Sequence, residues 1–186
     1  HNPPQVFAVT RSGRTLRHYY LPCGTNHDWE DIARDGKGSL FLLDNYSLKD
    51  QETGNLIIQF SEPDPEEDEF IHDCKVFAVR FPDGAYDCET LLVWQDKLYL
   101  VTKPWDGSLP RLYRYDRLGE DGVATFLGNV PVYAMITGGD ISSDGRRVVL
   151  SSYRALMVFQ GGGPIEELLT RDPIIAPLNA GQVESA

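Results

Sequence analysis

Short apolar runs separated by polar turns recur along the whole chain. β-Branched, aromatic and leucine residues cluster over 5–9, 15–21, 32–34, 39–43, 56–60, 75–81, 90–94, 97–102, 111–115, 124–127, 138–141, 147–152, 155–159 and 165–169. Between them lie Arg11-Ser12-Gly13, Asp35-Gly36-Lys37-Gly38, Gln95-Asp96 and Ser143-Asp144-Gly145. Asp-Gly and Ser-Gly supply the positive φ that tight hairpins demand. The runs therefore predict strands. The most helix-like stretch, 164–170, is too short to predict a helix and is read as a strand over 165–169.

The chain thus reads as all-β hairpins, which suits a sandwich or a propeller. An internal repeat selects the propeller. Trp29-Glu30-Asp31-Ile32 followed by Ser39-Leu40-Phe41-Leu42-Leu43-Asp44 aligns with Cys88-Glu89-Thr90-Leu91 followed by Lys97-Leu98-Tyr99-Leu100-Val101-Thr102. Gly139-Asp140-Ile141-Ser142 followed by Arg147-Val148-Val149-Leu150-Ser151-Ser152 aligns as a third copy, and a fourth begins near Gln182-Val183-Glu184. The acids at 30, 89, 140 and 184 are 59, 51 and 44 residues apart. A four-stranded blade takes roughly 40 to 50 residues. The expected fold is a partial β-propeller of about three full four-stranded antiparallel blades with incomplete flanking blades. The blade segments are approximately 1–28, 29–86, 87–137, 138–181 and 182–186. Such an arc looks cut at both ends, so flanking blades or self-association are expected to cover its open faces.

The long first step is filled by Ser61-Glu62-Pro63-Asp64-Pro65-Glu66-Glu67-Asp68-Glu69. Its acids repel and its prolines bar a ladder, so it reads as a surface excursion.

Composition narrows the partners. The 186 residues carry 17 Lys+Arg against 28 Asp+Glu, a net charge of −11. This argues against a nucleic-acid partner, because such binding is driven by cationic side chains. No apolar run reaches the roughly 18 to 20 residues that span a bilayer. His1-Asn2-Pro3-Pro4 shows no signal-peptide pattern. The three cysteines, Cys23, Cys74 and Cys88, have neither zinc-site spacing nor the density of a disulfide scaffold. Cys74 and Cys88 could pair across neighbouring strands.

Several motifs resemble a known family. They are Asp28-Trp29-Glu30-Asp31-Ile32-Ala33, Phe60-Ser61-Glu62-Pro63, Phe81-Pro82-Asp83-Gly84 with Asp87-Cys88-Glu89, Tyr99-Leu100-Val101-Thr102-Lys103, and Thr137-Gly138-Gly139-Asp140 with Ser143-Asp144-Gly145. Together they resemble uncharacterised bacterial β-propeller proteins related to the "esterase-like activity of phytase" group. The resemblance implies a six-bladed parent, a hydrolase-type activity class and a secreted or cell-envelope location. Cys88 and Thr90 depart from it, standing where small residues are expected.

The repeated acids are the main candidates for chemistry. First strands of propeller blades line the channel, so Glu30, Glu89, Asp140 and Glu184 are expected to converge, with Asp31 and Asp87 beside them. Converging carboxylates suit Ca²⁺, which takes six to eight oxygen ligands. A bound Ca²⁺ would activate water or polarise a phosphate or carboxyl ester. Equally, each acid could accept backbone amides and fix blade packing. In the catalytic reading Glu30, Asp31 and Glu89 act at the channel mouth with His27 as general base. Lys103 could bind an anionic substrate or lie on the surface, and Trp105, in a Pro-Trp-Asp-Gly turn, is the best candidate for an exposed aromatic contact. Asp140 to Gly145 looks like half a Ca²⁺ loop, but Ser151 stands where its Glu belongs, so it reads as a hairpin turn. No Gly-x-Ser-x-Gly or His-Glu-x-x-His motif occurs. Two functions remain open: a Ca²⁺-dependent hydrolase of a small-molecule ester, and a non-catalytic scaffold for a protein or glycan.

Overall fold

The computed structural model describes residues 3–45 and 54–178. The chain forms β1 (Gln5–Val9), β2 (Thr15–Tyr20), β3 (Trp29–Arg34), β4 (Ser39–Asp44), β5 (Asn55–Ser61), β6 (Cys74–Arg80), β7 (Cys88–Trp94) and β8 (Lys97–Thr102). There follow β9 (Arg111–Tyr115), β10 (Gly122–Val123), β11 (Thr125–Asn129), β12 (Ile136–Ile141), β13 (Arg147–Ser152), β14 (Ala155–Gln160), α1 (Ile165–Leu168) and β15 (Ile174–Pro177).

Three sheets follow one another along the chain. Their strand orders are β10-β6-β5-β4-β3, β11-β9-β8-β7 and β12-β13-β14-β15, and β1 and β2 form a separate two-stranded sheet. Pairing within each sheet is antiparallel, except that β10 joins the outer edge of β6 in parallel. The first strands β3, β7 and β12 lie against one another. Meandering four-stranded sheets whose first strands converge are propeller blades.

Strict alternation stacks the blades. Leu91, Val93, Leu98, Leu100, Tyr113 and Tyr115 pack on Phe41, Leu43, Ile57, Phe77 and Val79 of the preceding sheet. The intervening Leu92, Tyr99, Val101 and Leu112 point the other way, onto Val148, Leu150, Met157 and Phe159. Full burial of each such side chain stabilises by roughly 1.5 to 3 kcal/mol. On the far side of the first blade, Leu42, Ile58 and Phe60 meet Tyr19 and Leu21, so the β1–β2 sheet packs against that blade's other face.

The structure departs from the sequence reading in the third blade and decides the cysteine pairing that the sequence leaves open. The predicted strand over 165–169 is the helix α1, because Ile165, Leu168 and Leu169 recur at helical rather than alternating spacing and all three are buried. The outer strand of that blade is instead β15, bounded by Pro173 and ending on Pro177, residues that an edge strand accommodates. The third blade also starts earlier than expected, since β12 begins at Ile136. Finally, Cys74 bonds to Cys23, with Cα atoms 5.7 Å apart, and not to Cys88. Cys74 opens the outer strand β6, whereas Cys88 opens the inner strand β7 of the next blade and is a buried free thiol.

The acidic segment forms an ordered turn. Asp64 accepts the Glu66 amide at 2.8 Å and its carbonyl accepts the Asp68 amide at 2.7 Å. The Asp140–Gly145 segment is the β12–β13 hairpin turn, with Gly145 at φ 68°.

Candidate functional site

Each inner hairpin carries the same irregularity. The register between first and second strand shifts at Trp29/Asp31, at Cys88/Thr90 and at Ile136/Gly138. A bulge inserts one residue and re-aims its side chain. The residues so placed are Glu30, Glu89 and Thr137. Before the bulge, Trp29, Cys88 and Ile136 pair with Asp44, Thr102 and Ser152 at the ends of the second strands. The next residue then turns back in two blades: the Asn45 amide donates to the Asp28 carbonyl at 2.9 Å and the Lys103 amide to the Asp87 carbonyl at 2.8 Å.

This repetition gathers Asp28, Glu30, Asp87, Glu89 and Lys103 at one end of the inner strands. The Lys103 ammonium pairs with the Glu89 carboxylate, and both side chains are buried. Nζ of Lys103 also stands 4.7 Å from the Trp105 ring centroid and 5.0 Å from that of Tyr153. Burial works against the charged amine, yet hydrogen bonds to Glu89 and Tyr153 hold its pKa above the ordinary lysine value. Glu30 moves in the unusual direction for an acid. Burial, then the neighbouring Glu89, Asp28 and Asp87 charges, push it up to about 8.

Asp31 reaches sideways between blades. Its Oδ2 accepts the Leu91 amide of the next blade at 2.9 Å and its Oδ1 accepts the Ile32 amide at 2.9 Å. Burial pushes Asp31 up to about 7, although the backbone hydrogen bonds of Leu91, Ile32 and Gly139 pull it back. His27 is bound to Asp44, with Nδ1 2.9 Å from Oδ2. Asp44 is fully buried and also accepts the Asp28 amide at 2.8 Å.

Asp140 is not the third member of the Glu30–Glu89 set. It lies three residues beyond Thr137, is exposed, and accepts the amide of Ile141 at 2.7 Å. Its charge acts on Asp31. Glu184 lies outside the described residues. Thr137 itself is buried and hydrogen-bonds Ser151 at 3.4 Å. Thr137 carries no charge, so an acid-based repeat does not single it out. Pairing Ser152 with Ile136 across the hairpin would have placed it.

Trp105 is 68% exposed while its Nε1 donates to Asp87 Oδ2 at 2.5 Å. Tyr133, 86% exposed, stands three residues before β12 and so belongs to the same end of the arc. Lys103, which the sequence left between surface residue and anion binder, is instead the buried counter-ion of Glu89.

No protein-family model matches the chain, and no curated protein does. Among solved structures, one described as the Dos1 propeller is similar over 97% of this chain and 55% of its own, at 13% identity and a TM-score of 0.37. The chain thus spans about half the length of that structure. The described residues have a β-propeller fold by their own blade geometry.

Proposed function

We propose that the protein is a binding scaffold whose channel-mouth face recognises a protein partner through a basic side chain. The observation that carries this reading is Trp105: a largely exposed indole fixed by Asp87 beside Asp28 and Glu30. Exposed aromatic faces and carboxylates attract cations in concert. The only lysine in the cluster, Lys103, is already paired with Glu89, so the mouth keeps an excess of acid among the described residues. Tyr133 adds a second exposed ring on that face, and aromatic residues are enriched in recognition surfaces.

The ester-hydrolase reading draws on the family resemblance. The groups it would use are already engaged: Asp31 by backbone amides, one of them in the next blade, His27 by Asp44 and Glu89 by Lys103. Phe7, Val9 and Tyr20 at one end of the arc and Ile174 and Ile175 at the other are exposed apolar residues suited to burial under further protein.

The test is calorimetric titration with a hexa-arginine peptide. Trp105→Ala and Asp87→Asn should each weaken binding about tenfold, whereas Glu66→Gln/Glu67→Gln in the remote acidic turn should leave it within about twofold. Equal losses in all three variants would mean unspecific attraction to net charge and would overturn the reading.

A further inference from the structure

A second feature lies on the same end of the first blade but away from the channel. A cavity of about 330 Å³ opens between the start of β5, the end of β6 and the following loop. Its walls include Asn55, Arg80, Phe81, Pro82, Ala85 and Val123. That volume lies in the range of small-ligand pockets.

Two polar residues line this cavity, one enclosed and one free. Asn55 is fully buried; its Nδ2 reaches the Val79 carbonyl only at 3.5 Å, and its Oδ1 has no hydrogen-bond partner. That oxygen is enclosed by protein atoms, so the group free to meet a ligand is Arg80. Arg80 forms no ion pair and no side-chain hydrogen bond among the described residues, in a chain of net charge −11. Gly54 keeps this arginine close to the backbone: at its φ of +75° a Cβ would stand 2.8 Å from Arg80 Cγ. Guanidinium is the side chain best matched to a carboxylate, which it binds through two parallel N–H donors.

We propose that this cavity binds a small organic carboxylate, with Arg80 pairing the carboxylate and Phe81, Pro82 and Val123 covering an apolar body. The ligand is either a free acid or the carboxyl end of a peptide, which share that chemistry. The site is separate from the channel mouth and does not depend on Trp105 or Glu89.

The probe is N-acetyl-leucine, which carries a carboxylate and an apolar body. Its amide is the neutral control. Calorimetry and amide chemical shifts would follow both in the wild type, in Arg80→Gln and in Val123→Trp, which plugs the mouth from a half-exposed position. Saturable binding of the acid is expected, with the amide weaker by roughly 10- to 100-fold. Arg80→Gln should erase that preference, and Val123→Trp should remove binding of both. Acetyl-Gly-Gly-Leu separates the sources: tighter binding than N-acetyl-leucine assigns the site to chain ends, equal or weaker binding to free acids, and either result keeps the proposal. Absence of saturable binding, equal affinity for acid and amide, or undiminished binding in both variants would overturn it.

Discussion

The carboxylate of Asp31 in the first blade accepts the backbone amide of Leu91 in the second at 2.9 Å. This bond ties neighbouring inner strands through a side chain, where no sheet ladder can. Replacing Asp31 with Ala removes the acceptor and leaves a Leu91 amide unpaired. A loss of about 1 to 3 kcal/mol in unfolding free energy is expected from urea titration. An unchanged midpoint would mean that the bond does not hold the blades.

Asp31 and Glu30 also set a pH dependence. Burial raises Glu30 from 4.5 to about 8 and Asp31 from 3.8 to about 7. The folded state therefore retains protons that the unfolded chain releases. Stability from these groups is fully present below the unfolded values and is lost as pH rises through 7 and 8. The melting midpoint should fall between pH 6 and pH 8.5, and the fall should shrink in Glu30→Gln/Asp31→Asn. A rise over that interval would oppose the assignment.

The Glu89–Lys103 pair should be costly to break from one side. Lys103→Met leaves a buried carboxylate uncompensated, and a loss of about 3 to 5 kcal/mol is expected. Lys103→Met/Glu89→Met removes both charges and should recover most of it. A double variant no more stable than the single one would show that the pair contributes more than mutual neutralisation.

Cys23 and Cys74 close a loop across a sequence separation of 51, fastening the β1–β2 sheet to β6. Loop entropy puts the contribution at about 4 kcal/mol. Dithiothreitol or Cys23→Ser/Cys74→Ser should lower the melting midpoint, and native alkylation should leave Cys88 unmodified. Burial both shields this thiol and raises its pKa. Rapid labelling of Cys88 in the folded protein would contradict its placement.

Strand positions were largely legible because each blade buries both faces by alternation, as Leu98, Tyr99, Leu100 and Val101 do. The exceptions are local. Residues 165–169 are apolar at helical spacing but too few to show a period, and Pro177 hid β15. Glu30 and Glu89 occupy the same bulge position in neighbouring blades, as their alignment in the sequence suggests. Asp140 reads as the third match because it precedes an apolar strand, whereas the residue at the bulge, Thr137, is uncharged. The bulges at Glu30, Glu89 and Thr137 are properties of register between strands, which a single strand's sequence does not display. Lys103 was illegible as a buried ion because its partner lies across the hairpin on Glu89.

Close packing of inner strands predicts one further sensitivity. A Cβ on Gly139 would stand 2.8 Å from both the Val149 carbonyl and Leu150 Cδ2. Gly139→Ala should destabilise by about 1 to 3 kcal/mol, as overpacking does. A stabilised variant would mean that β12 has room to move.

In the proposed scaffold reading, Glu89 is held by Lys103, Asp31 is held by backbone amides, and the channel mouth serves recognition rather than metal-dependent hydrolysis. The most direct measurement is a thermal melt of the wild type and Glu89→Gln, titrated with Ca²⁺ against a chelator control. A ligand that binds only the folded state raises its midpoint. No saturable Ca²⁺-dependent shift is expected in either protein. A saturable rise in the wild type that disappears in Glu89→Gln would contradict it and place a cation among these acids.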